Sequence, residues 1–331
     1  MKRNTGYIKK VNSLFRLDRA IQIVLHKNLD IKSSESLLII YDKKKVALAK
    51  RFYTLARKSL DNVEIIKISI SKVSGQEPSK KVAQALLKYD TAIFLTEKSL
   101  SHTKARRDAT KKGIRIASMP GITENIMRRS IDIDYIRLKK ESVKLVAMLT
   151  RAKNARVTSA LGTDITFSLA NRKAGGASAG IFNKRGKWGN LPEGEAFIAP
   201  VERTANGYFV VDGSVAGFGK INHPLIFFVE NGFVVRITNG KKPHKIEALL
   251  NKVGKNARNI AELGIGLNRK AKITGVVLED EKVYGTCHIA LGNNLSFGGK
   301  IDVPIHIDCV IKKPTVYLDN RVIMKKGKLF I

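Results

Sequence analysis

The sequence predicts an α/β fold in two parts, an N-terminal Rossmann-like parallel-sheet domain over residues 1–140 and a strand-rich α+β domain over 141–331 that carries a metal site. Three observations predict it. Short apolar runs alternate with amphipathic stretches through the first half, short strands punctuated by glycine turns fill the second, and a chain of 331 residues exceeds the roughly 100–200 residues usual for one domain.

The first half reads strand, helix, strand. LLIIY from Leu37 is followed by the helical KKVALAKRFYTLARKSL, then VEIIKI, the helical PSKKVAQALLKY, TAIFL, the helical SHTKARRDATKKG, and IRIASMP. A helix near Asp18 to Lys27 precedes them, and one over Glu141 to Asn154 joins the halves. The turn after the first strand, Asp42-Lys43-Lys44-Lys45, has no glycine, and Gly217-Phe218-Gly219-Lys220 lacks the spacing of a phosphate loop, so no nucleotide cofactor is expected. Downstream, Gly162-Thr163-Asp164 and Asn231-Gly232 read as hairpin turns, and a further helix is expected at Lys245 to Leu263.

Composition narrows the classes. The 44% hydrophobic content suffices for packed cores and excludes a disordered basic tail. Sixty-one Lys plus Arg against 28 Asp plus Glu give +33, a charge that attracts polyanions non-specifically. The lysines are scattered without a nucleic-acid motif, which favours solvated faces over a dedicated binding surface. No apolar run approaches the ~20 residues of a membrane helix, no signal peptide is evident, and Cys287 and Cys309 make no disulfide framework. A soluble cytoplasmic protein is expected.

Six histidines occur, at 26, 102, 223, 244, 288 and 306. In PIHIDCVI, His306 and Asp308 stand at i and i+2 and project from one face of a strand, a geometry that presents two ligands to one metal or pairs them by a hydrogen bond. His288 lies in a second strand-like run, GTCHIALG, with Cys287 pointing the other way. Glu195, in NLPEGEAF, and Glu262, in AELGIGLN, lie at element ends where sites are assembled, or are solvated surface carboxylates. His102, Thr103 and Arg106 read either as a helix start or as groups facing a site.

Taken in order, NLPEGEAFIAPVE, AELGIGLN, LEDEKVYGTCHIALG with its following FGG, HIDCV, and the closing DNRVIMKKGKLF resemble the thermophilic aminopeptidase family, metallopeptidases typified by aminopeptidase T. LSHTKARRDATKKGIRIASMPGITENIMRR is similar to that family's N-terminal domain. The resemblance implies metal ligands at Glu195, Glu262, His288, His306 and Asp308, and two divalent ions (zinc, cobalt or manganese) that activate water. It further implies a proton-transfer role for Glu262, a peptide substrate, and a homodimer. The expected enzyme is thus a metallo-aminopeptidase, a hydrolase and protease. One position departs: the family's tyrosine seven residues beyond the first histidine is here Leu295, which cannot donate a hydrogen bond to developing charge. Two other readings stand beside it. Two histidines and a carboxylate also form a facial triad for mononuclear iron, and ring-cleaving dihydroxypyridine dioxygenases are similar to this peptidase fold. The third is a non-catalytic basic protein on the same fold.

Overall fold

A computed structural model describes residues 2–239 and 243–331. The chain divides into two compact units, residues 1–133 with 180–193, and residues 134–179 with 194–331. Where a single boundary between 140 and 141 is expected, the chain instead returns to the first unit at 180–193.

In the first unit, helix α1 (Lys2–Ile23) runs into a π-helical turn at Val24–Asn28. It starts well before the expected Asp18. Then come β1 (Leu37–Asp42), α2 (Val46–Ala56), β2 (Val63–Ile68), α3 (Lys80–Leu86), β3 (Thr91–Leu95), α4 (Lys104–Lys112), β4 (Arg115–Ser118) and α5 (Glu124–Ser130). The strands are all parallel in the order β2-β1-β3-β4-β7, where β7 is Trp188–Asn190. β1 and β3 are buried along their whole length, as strands covered on both faces must be. The helices begin where the sequence supplies a cap: Ser79, Thr103 and Thr123 each accept a hydrogen bond from a backbone N–H three residues on. Thr103 thereby takes the helix-start role. Arg106 is buried rather than solvated, with its guanidinium 3.7 Å above the Trp188 ring. β7, three residues long, has no period to read, and so the fifth strand escapes sequence inspection.

The second unit opens with α6 (Tyr135–Arg151), capped by Asp134. It continues through β5 (Asn154–Thr158), β6 (Asp164–Ser168), β8 (Glu195–Ile198), β9 (Asn206–Val211), β10 (Ser214–Val215), β11 (Gly219–Lys220), β12 (Leu225–Glu230) and β13 (Phe233–Thr238). After α7 (Pro243–Val253) come β14 (Ile260–Gly266), α8 (Val277–Asp280), β15 (Thr286–Gly292), β16 (His306–Lys312), β17 (Thr315–Leu318), β18 (Arg321–Lys325) and β19 (Lys328–Leu329). They form an eight-stranded sheet, β13-β12-β9-β6-β5-β17-β18-β19, and a six-stranded one, β11-β10-β16-β15-β14-β8. Both expected hairpins form. Gly162 precedes β6 at φ 105°, and Asn231-Gly232, at φ 48° and 80°, turns β12 into β13, the left-handed pair that a two-residue hairpin requires.

The helix expected at Lys245 to Leu263 is a helix only to Val253. Gly254, at φ 106°, stops it, and Ile260–Gly266 is a strand buried at every residue. Glu262 therefore lies inside a sheet rather than at a helix end. Among the described residues no helix is long and apolar enough to cross a membrane.

The eight-stranded sheet is held partly by Phe209 on Phe227, stacked at 4.7 Å between centroids and fully buried. Phe227→Ala is expected to lower unfolding free energy by about 3–5 kcal/mol. Urea denaturation checks this, and a loss below about 1 kcal/mol would contradict the packing.

Candidate metal centre

Four neighbouring strands of the six-stranded sheet supply the site: β8, β14, β15 and β16. Antiparallel partners share a face, so the register shows how the side chains meet. Glu262 stands opposite Ala290, and Ala290 opposite Asp308. His288 stands opposite Gly264, His306 opposite Gly292, and Glu195 opposite Gly266. Each large polar side chain on this face thus has a glycine or alanine beside it, and the space left is where the polar groups converge. Gly264 shows how tight the arrangement is, since a Cβ there would lie 2.0 Å from His288 Nε2. The opposite face holds the alternating apolar residues, including buried Cys287 and Cys309.

All five residues expected as ligands come together. One ligand atom from each of Glu195, Glu262 and His288 lies within 4.8 Å of the others, and the same holds for Glu262, His306 and Asp308. Glu262 belongs to both groups. Its Oε1 is 3.3 Å from His288 Nε2 and its Oε2 is 3.2 Å from His306 Nε2, while Asp308 Oδ1 is 3.3 Å from His306 Nε2. Glu195 Oε2 is 3.6 Å from His288 Nε2. His306 Nδ1 lies 2.8 Å from the Asn293 carbonyl. A carbonyl only accepts, so Nδ1 carries a proton and the Nε2 lone pair is directed into the cluster whenever the ring is neutral.

The electrostatics follow from burial and charge. Burial pushes the Glu262 carboxyl up, but hydrogen bonds from His288 and His306 outweigh it and hold the group below the ordinary carboxylate range. For Asp308, burial is likewise overcome by the His306 charge. Burial disfavours both imidazolium ions, yet the surrounding carboxylates raise His288 to about 9 and His306 well above its ordinary value. Two imidazoles and several ionised carboxylates, most of them buried, are a donor set that fits a divalent cation.

Sequence inspection missed several contributors. Lys282 is 1% exposed, and its ammonium pairs with Glu195 Oε1 and, at 2.7 Å, with Glu281 Oε1. Burial pushes Glu281 up to about 8, against the pull of Lys282. The only signal was the charge-dense EDEK immediately before the His288 strand. Phe297 lies 5.1 Å from the His306 ring and meets Phe197 edge-on at 5.4 Å, giving the site an aromatic wall. Leu295, at the position of the peptidase tyrosine, is 52% exposed.

Fold and cluster define a class: a protein with a parallel-sheet unit and an antiparallel, strand-rich unit bearing a histidine and carboxylate centre. The chain belongs to the NicX, 2,5-dihydroxypyridine 5,6-dioxygenase, family, whose model matches residues 30–331. It is 24% identical over 246 residues to the 2,5-dihydroxypyridine 5,6-dioxygenase of Pseudomonas putida, covering 69% of this chain and 68% of that protein. A solved 2,5-dihydroxypyridine dioxygenase structure from Pseudomonas putida shares the fold with a TM-score of 0.82 at 18% identity, over 95% of this chain and 96% of that one. Wild-type AmpT from Thermus thermophilus shares it less closely, with a TM-score of 0.67 at 16% identity over 96% and 99%.

Family membership corrects the resemblance to the thermophilic aminopeptidases. The family is one of oxygenases, so metallo-aminopeptidase, hydrolase and protease are set aside. The reason lies in the strands. The stretches that suggested a peptidase include those building β8, β14, β15 and β16, and AmpT has the same fold. Leu295 was the residue that departed.

Two outcomes test the centre. Gly264→Ala is expected to displace the His288 ring and weaken Co²⁺ binding by roughly 10–100-fold, with the circular dichroism spectrum unchanged; unaltered affinity would contradict the close approach. Because the surrounding carboxylates strengthen proton binding by both imidazoles, and each must lose that proton to ligate, Co²⁺ affinity is expected to rise with pH between 6 and 8. The slope should approach about tenfold per pH unit for each proton released. Isothermal titration in buffers of different ionisation enthalpy measures the protons, and release of none would refute the charge state.

Proposed function

We propose that this chain is a ring-cleaving dioxygenase that uses one ferrous ion and acts on a dihydroxylated nitrogen heterocycle of the 2,5-dihydroxypyridine kind. The observation that carries the reading is the convergence of both imidazoles on one buried carboxylate, in a chain of this family. The ion would be held by His306 and Asp308 with Glu262 and His288 as the further donors, and Glu262 is also placed to accept a proton. Bound there, ferrous iron supplies the one-electron chemistry that lets dioxygen react with a closed-shell ring.

In the overall reaction a ring bond next to a hydroxyl-bearing carbon breaks and both oxygen atoms enter the product. The ring is oxidised and dioxygen reduced, so no external reductant is needed. The chain's own groups prepare this. The Asn293 carbonyl fixes the His306 tautomer. Phe297 and Phe197 offer apolar faces beside His306, suited to a flat aromatic ring. Glu262, held ionised by the imidazoles, is an acceptor for a substrate hydroxyl proton. Leu295 has no phenol to offer an oxyanion, which agrees with a reaction that forms no tetrahedral peptide intermediate.

Protein reconstituted anaerobically with ferrous iron and then given 2,5-dihydroxypyridine in air is expected to consume one dioxygen per ring opened. His306→Ala should lower turnover more than about a hundredfold. An oxygen electrode with ultraviolet spectroscopy measures both. No oxygen uptake with any dihydroxypyridine or dihydroxybenzene would overturn the proposal.

A further inference from the structure

The cluster contains two overlapping ligand groups, Glu195–Glu262–His288 and Glu262–His306–Asp308, sharing Glu262. By donor type alone each is a position for a divalent ion, as the expectation of two metals assumed. They differ in one respect. The Glu195 group already has a cation against it, the buried Lys282 ammonium on Glu195 Oε1. We propose that Lys282 is a built-in cation that takes the electrostatic place of a second metal, so that the centre holds a single ion. This rests on the one-ion reading above and gives its structural cause.

The geometry supports it from both sides of the lysine. Lys282 lies just past α8, four residues before β15 begins, in the turn that leads to the His288 strand. Its ammonium is pinned between Glu195 and Glu281 with 1% of the side chain exposed. A lysine buried to that degree is costly unless paired, and the carboxylates that pair it face the cluster's charge, with Glu195 and Asp308 both acting on Glu281. Glu195 retains one oxygen, Oε2, with no hydrogen-bond partner among the described residues. Its other oxygen belongs to Lys282, so any cation at Oε2 would have to share this carboxylate with the ammonium. A second divalent ion in the Glu195 group would sit beside a buried ammonium, and two cations so close in a buried site repel.

Removing the ammonium should therefore open the second position. Metal-free full-length protein is titrated with Co²⁺, a redox-silent probe here, and bound metal per chain is counted by mass spectrometry after gel filtration. Wild type and Lys282→Arg, which keeps a cation, are expected to bind one ion. Lys282→Met is expected to bind two, and Lys282→Met/Glu195→Gln to return to one. Lys282→Gln, which keeps a donor for Glu195, carries the test with the same expectation of two if the methionine variant does not fold. One ion in the folded Lys282→Met or Lys282→Gln protein, with one in wild type, overturns this inference and leaves the one-ion reading standing. Two ions in wild type overturn both.

Discussion

Glu262 enters a strand that is buried at every position, and a carboxylate there is unfavourable by several kcal/mol unless positive charge meets it. Two imidazoles do so, one on each carboxylate oxygen. Much else in the unit serves this contact. Gly264 and Ala290 keep the neighbouring positions open, and Asn293 turns the His306 ring. β15 and β16 are paired over seven residues so that His288 and Asp308 arrive from adjacent strands. Outside the contact, Lys282 neutralises Glu195, which would otherwise add another uncompensated charge.

Much of this was legible in the sequence wherever a period was long enough to read. The strands and helices from Leu37 to Ser118 announced themselves through apolar runs and amphipathic faces, and HID placed two donor side chains on one face because alternation allows nothing else. Glu262 was harder. AELGIGLN follows a helical stretch without a proline, and only Gly254 marks the break. The glycines then read as a helix ending, when they are the small residues that leave room for His288 and admit Glu195. Lys282 was not legible. A lysine among Glu279, Asp280 and Glu281 looks solvated, and its burial depends on a glutamate 87 positions away. β7 was too short to have a pattern.

The activity was misread for a related reason. The segments that matched a peptidase family specify a fold and a set of ligand-bearing strands, and a dioxygenase and AmpT are both similar to this chain in fold. Such a donor set suits a cation, whereas the reaction depends on what surrounds it. The differences lie in the surroundings: an exposed leucine for a phenol, an aromatic wall of Phe197 and Phe297, and an ammonium beside one carboxylate group. On the function proposed above, these bias the same donor set toward one metal and an aromatic substrate.

The most direct measurement of this account is an iron-edge anomalous difference map from crystals of protein loaded anaerobically with ferrous iron. The account predicts one peak per chain, beside Glu262, His306 and Asp308, with Lys282 still on Glu195. Two peaks bridged by Glu262, or a peak bound by Glu195 with Lys282 displaced, would contradict it.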